Sequence, residues 1–295
     1  MTAEHDQAVK GDAEAIHRLR VATRRLRASL RMLREVAPND DVESVADELG
    51  WLCGVIGAVR DLDVLAELLQ ERATHLEPDF IRALEPLSVT LRQQRATEQE
   101  RLVAALDSER YRGLVQRLGT LTPEQATEPV ALGTMAARLV RSQLRATLRA
   151  GAGLDDSSPA DALHRLRIRV KKLRYAIEPL RAVGGKPTRK MLRRLERVQE
   201  RLGQYHDAVS AAEWLRGWAS DPQDAPPAAL MAVGALIHSF ERRVRRLRDR
   251  SLKAWRRAEM DGLARGVLHE LNFVAAEARR NAKPPLALAP VIHAS

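Results

Sequence analysis

The 295-residue sequence contains one cysteine, Cys53, so it can form neither an intrachain disulfide nor a multi-cysteine zinc site. Aromatic residues are only 3%, leaving few platforms on which nucleic-acid bases could stack. Long apolar runs are missing as well. The longest uncharged ones, Gly50–Val59 and Ala228–Phe240, are too short to span a bilayer. The opening residues MTAEHDQAVKGD lack the apolar core of a secretory signal. These absences lead us to expect a cytoplasmic protein without a membrane partner. Catalytic signatures are scarce too: there is no phosphate-cradling glycine loop, no HExxH and no G-x-S-x-G. The eight histidines show no i, i+4 pair that would suggest a metal site on a helix.

Positive charge is what the chain has in excess. Lys+Arg is 49 against Asp+Glu 39, a formal balance of +10, and only seven of those cations are lysine. Residues 1–150 sum to −2 and residues 151–295 to +12, so the excess is uneven along the chain. An uneven distribution suits an acidic partner better than uniform codon bias does.

The apolar residues recur three and four apart over Ile16–Val36, Ser44–Leu69, Phe80–Leu106, Thr134–Leu148, Leu163–Leu180, Arg189–Trp218 and Ala228–Arg257. No segment alternates as a strand would, so the expected fold is all-α. Asp12 is placed to cap one helix, and Ser158-Pro159 and Thr122-Pro123 are expected to open two others. An internal repeat organises the whole. His17-Arg-Leu-Arg-Val-Ala-Thr-Arg-Arg-Leu-Arg27 returns as His164-Arg-Leu-Arg-Ile-Arg-Val-Lys-Lys-Leu-Arg174, 147 positions later. Leu49…Ile56-Gly57…Arg60-Asp61 returns as Leu195…Leu202-Gly203…His206-Asp207 at an offset of 146. The first repeat is expected over about 1–118 and the second over about 134–281, with a linker at 119–133. The proline-rich residues 282–295 read as a disordered tail. A helical stretch precedes His164, but only sixteen residues precede His17, so the first half is expected to have a shortened opening helix.

On a helical wheel Arg20, Arg24, Arg27 and Arg31 fall in one stripe adjoining His17, with Leu19, Leu26, Leu30 and Leu33 opposite. His164, Arg167, Lys171 and Arg174 repeat that stripe, with Leu166, Leu173, Ile177 and Leu180 inward. Seven arginines and no acid lie between Arg18 and Arg34. Like charges at this spacing cost a few tenths of a kcal/mol per pair, which a solvated structural helix normally relieves with glutamate. One such stripe reads equally as a solvated face or as a polyanion site; two equivalent stripes favour the polyanion site. Arginine offers paired donors to phosphate oxygens, and the scarcity of aromatics favours a phosphate chain without bases. Duplex nucleic acid bound through its backbone stays open as the alternative.

The segments AIHRLRVATRRLRASLRML, LGWLCGVIGAVRDLDVLAEL, LHRLRIRVKKLRYAIEPL and LERVQERLGQYHDAV, in that order, resemble the conserved histidine α-helical domain, or CHAD, family over roughly residues 10–275. The resemblance implies two four-helix bundles related by a pseudo-twofold axis, with a basic groove or channel between them. It implies binding of inorganic polyphosphate without catalysis or cofactor, and with it targeting to polyphosphate granules; a metal-dependent polyphosphate hydrolase is the enzymatic alternative. The implied ligands are His17, Arg20, Arg24, Arg27, His164, Arg167, Lys171 and Arg174, with Arg31 added from the wheel. Flanking candidates are Arg18, Arg25, Arg165 and Lys172, and Lys190, Arg194, Arg197 and Arg201 form a further stripe that could extend the groove. Asp61 and Asp207 are candidates to orient arginines, or else simple surface pairs, and no metal site is expected. Three features depart from the family pattern: the short first helix, Glu178-Pro179 where the first copy continues through Arg31, and His206 before Asp207 where the family more often has asparagine.

Overall fold

The computed structural model describes residues 2–36, 40–121, 129–181, 185–221 and 225–281, and among these every regular element is helical. In chain order they are α1 (Thr2–Val9), α2 (Ala13–Val36), α3 (Asp40–Ala73), α4 (Pro78–Ala83), α5 (Glu85–Leu106), α6 (Glu109–Thr120), α7 (Pro129–Gly151), α8 (Ala160–Ile177), α9 (Lys186–Ser220), α10 (Pro227–Arg256) and α11 (Met260–Asn281). A single 3-10 turn, Glu178–Arg181, follows α8, because Pro179 cannot donate the next helical hydrogen bond. The second basic stripe is therefore shorter than the first, as its sequence implies.

Helix starts follow local chemistry in part. Asp12 caps α2 by accepting from the Ala15 amide at 2.7 Å. Ser158 does not cap α8. Pro159 holds the cap position, and the Ser158 hydroxyl turns back to the Asp155 amide at 3.0 Å and carboxylate at 3.2 Å. The Thr122-Pro123 start and the tail at 282–295 lie outside the described residues. The periodic run Phe80–Leu106 is two helices, α4 and α5, because Pro86 lies in the first turn of a new one. α11 lies beyond the periodic runs named from the sequence, although its apolar residues Leu263, Ala264, Val267, Leu268 and Leu271 recur at helical spacing; Val267 and Leu271 are buried.

In the second half α7, α8, α9 and α11 each pack on the next to close a ring, with α10 laid along α9. In the first half α1, α2, α3 and α5 do the same, with α6 against α3 and α5. The opening helix of the first ring has 8 residues where that of the second has 23. Two buried apolar clusters result, but they do not divide at the repeat boundary. Leu65, Leu69, Leu84, Leu87 and Leu91 join the cluster built by the second half. The other cluster centres on Ile16, Leu49, Leu52, Ile56 and Leu102. Each such fully buried side chain contributes about 1.5–3 kcal/mol relative to exposure. Trp214 and Trp218 of α9 tie the halves by donating to Gln94 and Thr90 of α5, both at 3.1 Å. Shared packing of this kind holds α2 and α8, the two motif helices, side by side.

Candidate functional site

The apolar faces of α2 and α8 turn inward: Leu19 and Leu30 on one helix, Leu166, Leu173 and Ile177 on the other, are buried. Their opposite stripes then line a groove of about 640 Å³, completed by Cys53 of α3 and by Leu139 and Gln143 of α7. Among the described residues its charged lining consists of Arg20, Arg24, Arg27 and Arg31 from the first motif and Lys171 and Lys172 from the second, with no carboxylate.

The α2 stripe is spread over α3 in antiparallel register. Arg20 donates to the Gly57 carbonyl at 3.0 Å and to Asp61 Oδ1 at 2.8 Å. Arg27 donates to the Ala46 carbonyl at 3.2 Å and lies over Gly50, where an added Cβ would come within 2.5 Å of its guanidinium. Gly50 and Gly57 thus admit two arginines one helical heptad apart. Arg24 lies between them, 5.8 Å from the centre of the Tyr175 ring on α8, with its Nε buried and unpartnered.

The second motif is arranged differently. Arg174, the equivalent of Arg27, bonds Gln199 at 2.9 Å and has Glu178 at 3.5 Å and Glu196 at 3.9 Å. Glu196 stands where the first repeat has Gly50, so the repeat neutralises the one arginine and leaves the other to a backbone carbonyl. Arg174 also stacks 4.8 Å from the Tyr175 centroid and does not line the groove. The His164 ring packs 4.7 Å from His206, and its Nδ1 is buried without a partner.

Crowding of cations shows in the proton affinities. Burial pushes the Lys171 ammonium down to about 8, and the charges of Arg167, Arg24 and Arg20 act in the same direction. Burial also lowers Arg167, against the support of Asp207 and Asp61. Asp207 is raised by burial, while Arg167 draws it back down. His206 falls to about 4 through burial and then the charges of Arg167 and His164, so it is neutral near pH 7. The Cys53 thiol is raised by burial despite the arginines around it.

The remaining expected residues are scattered. His17, Arg18, Arg25 and Arg165 are exposed and do not line the groove; Arg18 pairs with Glu4 and Glu14 at 3.8 and 3.7 Å. Lys190 and Arg197 are exposed on α9, Arg194 donates to the Arg257 carbonyl at 2.9 Å, and Arg201 to Gln204 at 3.2 Å. Arg194 and Arg201 therefore meet the C-terminal part of α10, and none of the four lines the groove. Gln143 and Leu139 are not legible in the sequence, because nothing in α7 marks which of its residues meets α2. Gly50 carries a legible signal, its seven-residue spacing from Gly57. Among the described residues no group of three or more His, Cys, Asp or Glu side chains is placed to hold a metal ion, and no helix is long and apolar enough to cross a membrane.

The CHAD domain model matches residues 1–216. Two uncharacterized proteins of Mycobacterium tuberculosis, from strains CDC 1551 and H37Rv, are each 33% identical over 220 residues. Those alignments cover 71% of this chain and 42% of either relative, so the chain spans less than half their length. The crystal structure of the CHAD domain from the plant Ricinus communis aligns with a TM-score of 0.63 and 27% identity, covering 91% of this chain and 86% of that one. PptA from Streptomyces chartreusis has the same fold, with a TM-score of 0.63, 22% identity, and coverage of 86% and 94%. The all-α architecture, the two motif copies and the extent of these matches place the chain in the CHAD domain family.

Proposed function

We propose that this protein binds inorganic polyphosphate, without catalysis, in the groove between α2 and α8. The observation that carries the reading is that, among the described residues, the groove's charged lining is cationic throughout and drawn from both copies of the motif. Its family is linked to polyphosphate binding. An unpartnered Arg24 Nε and the Lys171 ammonium, whose charge burial disfavours, both gain from a phosphate oxygen: the first a hydrogen bond, the second a counter-charge. Among the described residues Tyr175 is the only aromatic one lining the groove, and guanidinium groups already occupy its neighbourhood, so base stacking has no free platform there. Asp61 fixes Arg20 in this reading, and recruitment to polyphosphate granules follows from the binding.

Competition binding tests it. Long-chain polyphosphate should bind at physiological salt and displace single-stranded DNA, duplex DNA and heparin of matched charge. Reversal of Arg20, Arg24, Arg167 and Lys171 to glutamate should abolish binding while helical circular dichroism persists. The milder pair Arg24→Glu and Lys171→Glu keeps the Arg20–Asp61 contact intact. Equal affinity for duplex DNA would make nucleic-acid backbone the ligand. Phosphate release with a divalent metal, lost on substitution of Asp61 or Asp207, would make the protein a hydrolase.

A further inference from the structure

A second cationic surface lies on α9 and α10, formed by two adjoining hollows of about 440 and 280 Å³ that share Arg201 and Arg250. It has no lining residue in common with the α2/α8 groove. Arg243, Arg246, Arg250, Lys253 and Arg257 follow one another at intervals of three and four along α10 and its C-cap, a stripe of roughly 21 Å at ~1.5 Å per residue. That length equals the reach of the first motif from His17 to Arg31.

All charged residues lining the two hollows are cations. Acids nearby compensate only part of it: Glu71 takes Arg72 and Arg243 at 3.0 and 2.9 Å, and Asp249 takes Lys253 at 2.8 Å. Among the described residues no ion pair engages Arg201, Arg246 or Arg250, and the Nε of Arg72 is buried without a partner. Gln204 is the uncharged polar lining residue, and Leu247 and Ala254 are the apolar ones, so the surface offers guanidinium donors and no stacking partner. Planar paired donors along a straight stripe match successive phosphate groups of an extended chain.

We infer that the α9/α10 surface is a second oligophosphate site, giving the protein two places at which to hold polyphosphate. This rests on the reading of the α2/α8 groove as a polyphosphate site and extends it to a separate stripe. A molecule with two such sites holds a long chain by the product of two contacts, or bridges two chains.

Titration of the full chain with tripolyphosphate, which is too short to span both surfaces, separates the two. The expected stoichiometry is two for the unmodified protein and one for the exposed pair Arg246→Glu and Arg250→Glu. The pair Arg24→Glu and Lys171→Glu should also bind one equivalent. Long-chain affinity should fall at least tenfold in either double variant. Unchanged stoichiometry and affinity in the Arg246/Arg250 variant would overturn the second site. So would displacement of tripolyphosphate from that surface by duplex DNA at equal phosphate concentration. Failure of the α2/α8 reading has a different mark: loss of all binding in the Arg246/Arg250 variant with none lost in the Arg24/Lys171 variant.

Discussion

Lys171 offers the most quantitative handle on the groove. In the free protein its ammonium titrates near 8, because burial and the neighbouring Arg167, Arg24 and Arg20 all oppose its charge. At pH 9 such a group is protonated in only about a tenth of molecules, whereas an ordinary lysine, near 10.4, is almost fully charged. A polyphosphate oxygen beside it reverses the balance and restores the ordinary value. Binding at pH 9 should therefore take up about 0.9 proton per molecule, and at pH 6.5 essentially none from this group. Calorimetric titration in buffers of different ionisation enthalpy reads that uptake directly. Affinity should fall as pH rises from about 8 towards 10.4, most steeply near the middle of that window. Lys171→Arg should keep the affinity and remove both the uptake and the pH slope, because guanidinium stays charged. The unliganded protein carries the opposite sign. A lysine whose folded value lies below its unfolded one binds fewer protons when folded, so this group's contribution to stability rises with pH between about 8 and 10.4. Absence of proton uptake at pH 9, or the same uptake in Lys171→Arg, would refute the placement of a phosphate beside this ammonium.

Three substitutions probe the surrounding geometry. Gly50→Ala places a methyl group where the Arg27 guanidinium lies; the flexible arginine yields and the helix gains about 0.5–1 kcal/mol from replacing glycine, so polyphosphate affinity should drop severalfold without loss of thermal stability. Asp61→Ala frees the Arg20 guanidinium and should weaken binding while barely moving the melting temperature, since the carboxylate is largely exposed; unchanged affinity in a competition assay would make the contact a mere surface pair. Gly151→Ala drives a Cβ into the Trp255 ring, whose Nε1 donates to the Gly151 carbonyl at 3.0 Å. A rigid indole cannot step aside as an arginine can, so urea unfolding should show a loss of about 1–3 kcal/mol with polyphosphate affinity unaltered.

The sequence by itself determined the helical class, the two motif copies and the polar face of each, because helical periodicity and the offset of 147 are properties of residue order alone. Leu19 and Leu166 face the core and Arg24 and Lys171 face the groove, as the wheel requires. Tertiary structure decided which members of each stripe remain available to a ligand. Arg27 and Arg174 occupy the same place in the repeat, yet one meets Gly50 and a carbonyl while the other meets Glu196, Glu178 and Gln199. The α9 arginines share a face on the wheel, but Arg201 there lies beside α10, so it belongs to a different cationic surface from Arg24. Periodicity specifies which side of a helix is polar; only the packing of the neighbouring helices specifies what that side confronts, and charge becomes a binding site or an internal salt bridge according to that neighbour.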